Sequence, residues 1–189
     1  MHGMVVDTKY LADMSTELGA RLNEITANIY EYAGHPFNLN SPKQLGQVLF
    51  DELGLPVIRR TSTGYSTDAA VLDELSGKHP IIELILEFRQ IDKLKSTYVD
   101  ALPGLVNPQT GRVHTWLSQT GTTTGRLSSR DPNLQNIPVR SDLGKLVRGA
   151  FVAPEGYMLL GCDYSQVELR ILAHITQDPE LLGAFHRDE

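Results

Sequence analysis

Cysteine is almost missing from this chain. Cys162 is the single one among 189 residues, so no internal disulfide can form, and the usage fits a reducing cytoplasm. Set in an apolar run, that thiol reads as a small core filler. No apolar run approaches the roughly 20 residues that a membrane-crossing helix needs. The N-terminus carries no charged-then-apolar secretion signal, so no membrane partner is expected. Several catalytic signatures are also lacking: the Gly-x-Ser-x-Gly elbow, the P-loop, Gly-x-Gly-x-x-Gly and any His/Cys metal spacing. The six histidines are scattered. What remains is an ordinary globular composition, 41% hydrophobic and 21% charged, long enough for one domain or two small ones.

A net charge of −6 argues against a polyanionic partner, but its distribution argues for one. Residues 89–148 hold nine Lys/Arg against four Asp, while the rest of the chain holds eight against nineteen acids. A basic middle in an acidic protein is the footprint of one face meeting nucleic acid. Chance variation over a solvated surface gives the same numbers.

Apolar periodicity predicts a first half built of helices. Asp7 caps one whose stripe is Leu11, Met14, Leu18, Leu22, Ile25 and Ile29, ending near Gly34 and Pro36. Ser41-Pro42-Lys43-Gln44 starts a second, running to Gly54. Residues 59–66 read as a polar loop suited to solvent or phosphate, followed by a short helix over 67–75. Pro80 opens a long helix to about Ala101, with Ile81, Leu84, Ile85, Phe88, Ile91, Leu94 and Tyr98 inward. Arg89, Lys93 and Ser96 share another face, which suits either plain solvation or a phosphate backbone.

After Pro103-Gly104 the pattern changes. Residues 111–119 alternate like a strand. Residues 120–138 are rich in hydroxyls, glycines, amides and arginines, and a loop of that length is usually functional or disordered. Asn133, Gln135 and Asn136 are neutral donors and acceptors of the kind that read base edges or sugars, and Arg126 is a fork for paired acceptors. Residues 143–151 predict a short helix. The run 157–162 is uniformly apolar and predicts a strand covered on both faces. Asp163 follows at its end, and a helical period begins at Gln166 with Glu168 on the apolar face. A carboxylate there is costly unless paired or employed. Asp163 fits a helix cap, or a Mg²⁺ site in which one or two carboxylates join substrate phosphates. The residues alone describe a nucleic-acid-binding α/β protein with a candidate metal-binding carboxylate.

Thr124-Gly125-Arg126-Leu127-Ser128-Ser129, residues 131–138 and Asp163-Tyr164-Ser165-Gln166-Val167-Glu168-Leu169-Arg170 closely resemble the bacterial DNA polymerase I family, the family A DNA polymerases. Residues 37–45 and Lys93-Leu94-Lys95-Ser96-Thr97-Tyr98 resemble the same family, and the likeness runs through nearly the whole chain in order. It implies an α+β, largely helical fold, the thumb plus a partial palm of a template-directed DNA polymerase. Residues 1–40 would be an N-terminal palm segment and lead-in helix, 41–103 the helical thumb, and 104–189 a partial palm. Primer-template DNA and deoxynucleoside triphosphates would be the partners, with a monomeric full-length protein in the cytoplasm. The resemblance makes Asp163 the first metal-ligating aspartate, with the Tyr164 carbonyl beside it, in a site for two Mg²⁺ ions that catalyse phosphoryl transfer. It gives Glu168 the exclusion of a ribose 2′-hydroxyl and places Gln166 with it at the nucleotide. Arg126 would read the minor groove at the primer terminus. Asn133, Gln135, Asn136 and Arg140 would be neighbouring DNA contacts, and Arg89, Lys93 and Lys95 would touch the backbone.

Some family features do not occur in these 189 residues. Thr123 stands where alanine is expected. The fingers helix with its Arg and Lys, the His-Asp-Glu motif bearing the second metal-ligating aspartate, and a proofreading or 5′-nuclease domain are missing. His186-Arg187-Asp188-Glu189 follows Asp163 too soon to be that motif. The chain alone is therefore expected to be catalytically incompetent and poorly soluble. A DNA-binding remnant without chemistry is one alternative. A single-subunit RNA polymerase or reverse transcriptase relative is another, which Glu168 opposes.

Overall fold

Asp7 opens the longest helix. Its carboxylate accepts the Tyr10 N–H at 2.9 Å, satisfying one of the amides that a helix start leaves unpaired. A short strand, β1 (Val5–Val6), precedes it. The helix, α1 (Thr8–Ala33), closes where Gly34 turns left-handed at φ 77° and returns its N–H to the Tyr30 carbonyl, as the sequence predicts. Leu11, Met14, Leu18, Ile25 and Ile29 are its buried stripe. The computed structural model describes residues 2–187 except Thr63 and Arg140. Two compact units emerge, Met1–Pro154 and Glu155–Glu189.

In the first unit, Ser41 caps α2 (Pro42–Gly46), which passes directly into a π-helical turn over Gln47–Glu52. There the Leu53 N–H reaches five residues back to Val48 at 2.9 Å. Residues 59–66, predicted as a polar loop, instead contain an antiparallel hairpin of β2 (Arg60–Thr61) and β3 (Gly64–Tyr65). The cause is Tyr65. Its ring packs 4.9 Å from Phe50, the Arg60 guanidinium covers it, and its hydroxyl donates to Asp51, so the segment has an anchor that a solvated loop lacks.

Asp68 caps α3 (Ala69–Leu75). The helix predicted over 80–101 is three pieces: α4 (Pro80–Leu94), a π-helical stretch over Lys95–Val99, and α5 (Ala101–Gly104). α4 buries Ile81, Ile82, Ile85, Phe88, Ile91 and Leu94, packing against α1. Arg21 on α1 forks onto Glu87 of α4, its Nε donating at 2.8 Å and one terminal nitrogen at 3.0 Å.

Short strands follow. β4 (Val106–Asn107) pairs with β5 (Arg112–Val113), and β6 (Trp116–Ser118) pairs with β7 (Ser128–Arg130). The single strand predicted over 111–119 breaks at His114-Thr115, where the Thr115 hydroxyl lies 2.6 Å from Ser129 Oγ and 2.8 Å from the Pro132 carbonyl. Ser141 caps α6 (Asp142–Gly149), and β8 (Phe151–Val152) returns antiparallel to β1. Met4 and Val113 exchange two 2.9 Å backbone bonds, so the first residues of the unit are tied into its strand-bearing part.

The second unit holds α7 (Val167–Thr176) and α8 (Pro179–His186). The strand predicted over 157–162 is not there: those residues have no regular structure, and Met158 and Leu160 are 85% and 83% exposed. Apolar character alone does not make a strand. Its amides and carbonyls need a neighbouring ladder, and no described residue supplies one. The fold is α+β and largely helical. No helix among the described residues is long and apolar enough to cross a membrane.

Candidate nucleic-acid interface

The polar stretch 120–138 is held by its own side chains. Thr115, Ser129 and Gln135 form the knot. Ser129, which is buried, accepts the Leu134 N–H at 3.0 Å and shares hydroxyl bonds with Thr115 and the Pro132 carbonyl. Gln135 clamps the far side: its Oε1 accepts the Ser129 N–H at 2.9 Å and its Nε2 donates to the Leu127 carbonyl at 3.0 Å. Gln135 was expected at a base edge, yet both ends of its amide are engaged inside the loop. Asn133 turns its Oδ1 onto the Gln135 N–H at 3.0 Å, and both Asn133 and Asn136 are exposed. The long polar stretch, whose plain reading is a surface loop, thus contains β7 and a fixed turn.

Arg126 stands on the turn leading into β7, exposed, with Gly125 left-handed before it and the Thr122 hydroxyl bonded to its carbonyl at 2.7 Å. Arg140 lies outside the described residues. The three cations of the 89–95 region separate into two kinds. Arg89 is half-buried, donates to the Thr67 carbonyl and hydroxyl, and is held below its usual pKa by burial. Lys95 donates to Ser15 Oγ at 3.0 Å and pairs with Asp100 at 2.7 Å. The Lys93 side chain is exposed and makes no hydrogen bond or ion pair with another described residue; its carbonyl accepts from Ser96 Oγ at 3.4 Å. Lys93 and Arg126 are thus the exposed cations of this set, and Arg89 and Lys95 the ones bound into the structure. Trp116 and Arg130, which no motif flagged, face each other across β6 and β7. The signal available in the sequence was a lone tryptophan in a polar stretch, but their pairing depends on strand register.

In the second unit, Asp163, Tyr164, Gln166 and Glu168 are all exposed. Asp163 does not cap the following helix. The cap position of α7 is Gln166, left-handed at φ 51° and without a side-chain cap bond, and Asp163 bonds to no described residue. Glu168, predicted on a buried apolar face, lies instead in the exposed first turn of α7, where the helix dipole favours a carboxylate. Arg170 folds back, its Nε donating to the Ser165 carbonyl at 3.0 Å and its guanidinium lying 4.7 Å from the Phe185 ring centre. As a donor set, the Asp163 carboxylate and Tyr164 carbonyl are hard oxygen ligands that fit Mg²⁺. No group of three His, Cys, Asp or Glu able to hold a metal occurs among the described residues.

Residues 8–189 match the family model described as DNA polymerase family A. The chain is 55% identical over 185 residues to the thermostable DNA polymerase I of Thermus aquaticus, covering 97% of this chain and 22% of that protein. It is 52% identical over 187 residues to DNA polymerase I of Bacillus subtilis, covering 98% of this chain and 21% of that one. Among solved structures, the POL domain of Pol1 from M. smegmatis in complex with DNA primer-template and dNTP superposes with a TM-score of 0.88 at 43% identity, over 99% of this chain and 33% of that one. The chain spans about a fifth of the length of the curated relatives it matches.

Proposed function

We propose, on the premise that this chain belongs to DNA polymerase family A, that it forms the part of a DNA-directed DNA polymerase that holds primer-template DNA and carries the first metal-binding carboxylate. Residues 41–103 act as thumb, with residues 1–40 and 104–189 as palm. The observation that carries the reading is Asp163. It is exposed and does not serve as a cap, and the segment bearing it belongs to a chain like one solved with DNA primer-template and dNTP.

In this reading the Asp163 carboxylate and Tyr164 carbonyl hold Mg²⁺, in a site that takes two ions when complete. The metal, when bound, supplies charge neutralisation at the transferring phosphoryl group. Gln166 and Glu168 border the incoming nucleotide, Glu168 closing the space that a 2′-hydroxyl would need. Arg126 reads acceptors in the minor groove, which recur for every correct pair. Asn133 and Asn136 present amides to the same strand, with Arg140 as a further contact. Gln135, Arg89 and Lys95 support DNA contact by fixing the backbone around it, and Lys93 meets phosphate directly. The site is that of a soluble cytoplasmic enzyme, monomeric as a whole protein.

A second reading, in which these residues grip DNA without performing chemistry, draws on the basic excess over residues 89–148 alone. Anisotropy titration of a labelled primer-template tests the shared claim. Affinity should fall steeply between about 50 and 200 mM salt, and Arg126→Ala should weaken it at fixed salt. Binding that ignores salt and Arg126 defeats both readings. Mg²⁺-dependent binding of a deoxynucleoside triphosphate that is lost in Asp163→Asn selects the first reading. Triphosphate binding that is absent, or that ignores both Mg²⁺ and that variant, selects the second.

A further inference from the structure

We propose that Trp116 and Arg130 form a stacking platform for a base of an unpaired nucleic-acid strand. The inference rests on the DNA-binding reading above and adds a contact to it. The register of β6 and β7 sets Trp116 opposite Arg130, Leu117 opposite Ser129 and Ser118 opposite Ser128. Side chains alternate along a strand, so Trp116, Ser118, Ser128 and Arg130 share one face while Leu117 and Ser129 share the other. Ser129 is buried in the Thr115–Pro132–Leu134 knot while Leu117 beside it is 42% exposed, and Trp116 and Arg130 both stand exposed on the other, outward face.

On that outward face the indole is 56% exposed, and the Arg130 guanidinium carbon lies 5.5 Å from its ring centre. A wet tryptophan forgoes the burial that usually retains it, so its position calls for a partner. The platform is already built. Trp116 follows directly on Thr115, whose hydroxyl is fixed by Ser129 and the Pro132 carbonyl, and the cation–π pair orients the ring. Little ordering is left for a ligand to bring about.

The chemistry of the face selects a polyanion with flat rings. Its strands carry no acid, two serines flank the ring, and Arg130 supplies its cation. An indole and a guanidinium plane are the groups on which successive bases stack, and guanidinium edges also reach a phosphate. Within a duplex the base faces are covered by their neighbours. An unpaired stretch, such as the overhang of a primer-template, is what offers a free face.

Trp116 is the one tryptophan of the chain, so its emission reports the site without a label. The experiment uses the whole chain with an oligo-dT single strand, a primer-template with a long 5′ overhang, and a blunt duplex. Saturation with oligo-dT or the overhang substrate should quench the indole emission. Trp116→Ala should weaken their binding by about 5- to 100-fold while leaving the blunt duplex unaffected. Trp116→Phe should keep most of the affinity, and Arg130→Ala should weaken overhang binding. Unchanged emission at saturation, or equal losses for overhang and blunt DNA, overturns the platform. Self-association lost in Trp116→Ala, with no effect on DNA, overturns it in favour of a protein contact. If the unsubstituted chain binds none of the three DNAs, the DNA-binding reading itself fails, and the platform with it.

Discussion

Gln135 shows how much one side chain can organise. Its amide bridges the Ser129 N–H and the Leu127 carbonyl across the turn that carries Arg126. Gln135→Ala leaves the amide of a buried residue without its partner, which costs about 1–3 kcal/mol. The expected outcome is faster hydrogen exchange at Ser129 and a lower urea midpoint, with a secondary loss of DNA affinity. Faster exchange with the midpoint unmoved would show that the clamp orders only the turn. In the sequence Gln135 was indistinguishable from its neighbours Asn133 and Asn136, because its partners are set by how β6 and β7 meet. Two titrating groups add a pH signature. The Glu52 carboxylate, 2.7 Å from His35 Nε2, followed by the Pro36 carbonyl, raises the imidazole above its usual 6.5. A raised pKa adds stability that is complete below the unfolded value and is lost as pH rises through the folded one. The Tm advantage of the unsubstituted chain over His35→Ala should therefore be largest near pH 6 and vanish in alkali. Asp100 works in the opposite direction. Burial disfavours its charge, but hydrogen bonds from Lys95 and Ser15 outweigh that and keep its pKa below the ordinary value. Its contribution is present above about pH 4 and is lost as pH falls through the lowered folded pKa. The same Tm comparison with Asp100→Asn, carried into acid, reads it.

At the scale of elements, the caps were legible and the wide turns were not. Asp7, Ser41, Gly34 and the stripe of α1 carry their signal within four residues, so sequence spacing finds them. The π-helical stretches at Gln47–Glu52 and Lys95–Val99 keep helical composition and differ only in which carbonyl each N–H selects. Composition does not encode that choice. The unpaired run 157–162 fails for the complementary reason: a strand depends on a partner distant in sequence. The junction between α6 and the polar loop gives an element-scale test. Gly144, in the first turns of α6, sits so close to Pro138 that an added Cβ would strike the Pro138 carbonyl. That obstacle is backbone and cannot rotate away. Gly144→Ala should shift α6 from the loop and destabilise the unit by roughly 1–3 kcal/mol, the range for overpacking. Thermal melts measure it, and an unchanged melt would mean that the helix slides freely along the loop.

Across the whole molecule, charge serves two purposes that the linear count merges. The basic excess over residues 89–148 pointed to a polyanion, yet within it Arg89 and Lys95 fasten the structure to itself. Arg89 ties α4 to Thr67, and Lys95 joins the π-helical stretch to Ser15 of α1 and to Asp100. Lys93, between them in sequence, is exposed and makes no such tie among the described residues. Arg89 and Lys93 lie four residues apart on one side of α4, so only the neighbours decide which of them is bound into the structure. The consequence is a separable pair of phenotypes. Lys93→Ala should leave the melting temperature within error. It should weaken primer-template binding about equally for all sequences and reduce the slope of log affinity against log salt by about 1. Lys95→Ala leaves Asp100 and Ser15 without their shared donor, so it should lower the melting temperature first and the salt slope little. Titrations of both variants at several salt concentrations, beside their melts, decide between the roles. If Lys93→Ala lowers stability and keeps the full slope, that side of α4 does not face DNA, and the phosphate contacts must lie on the Arg126 turn and the β6–β7 face instead.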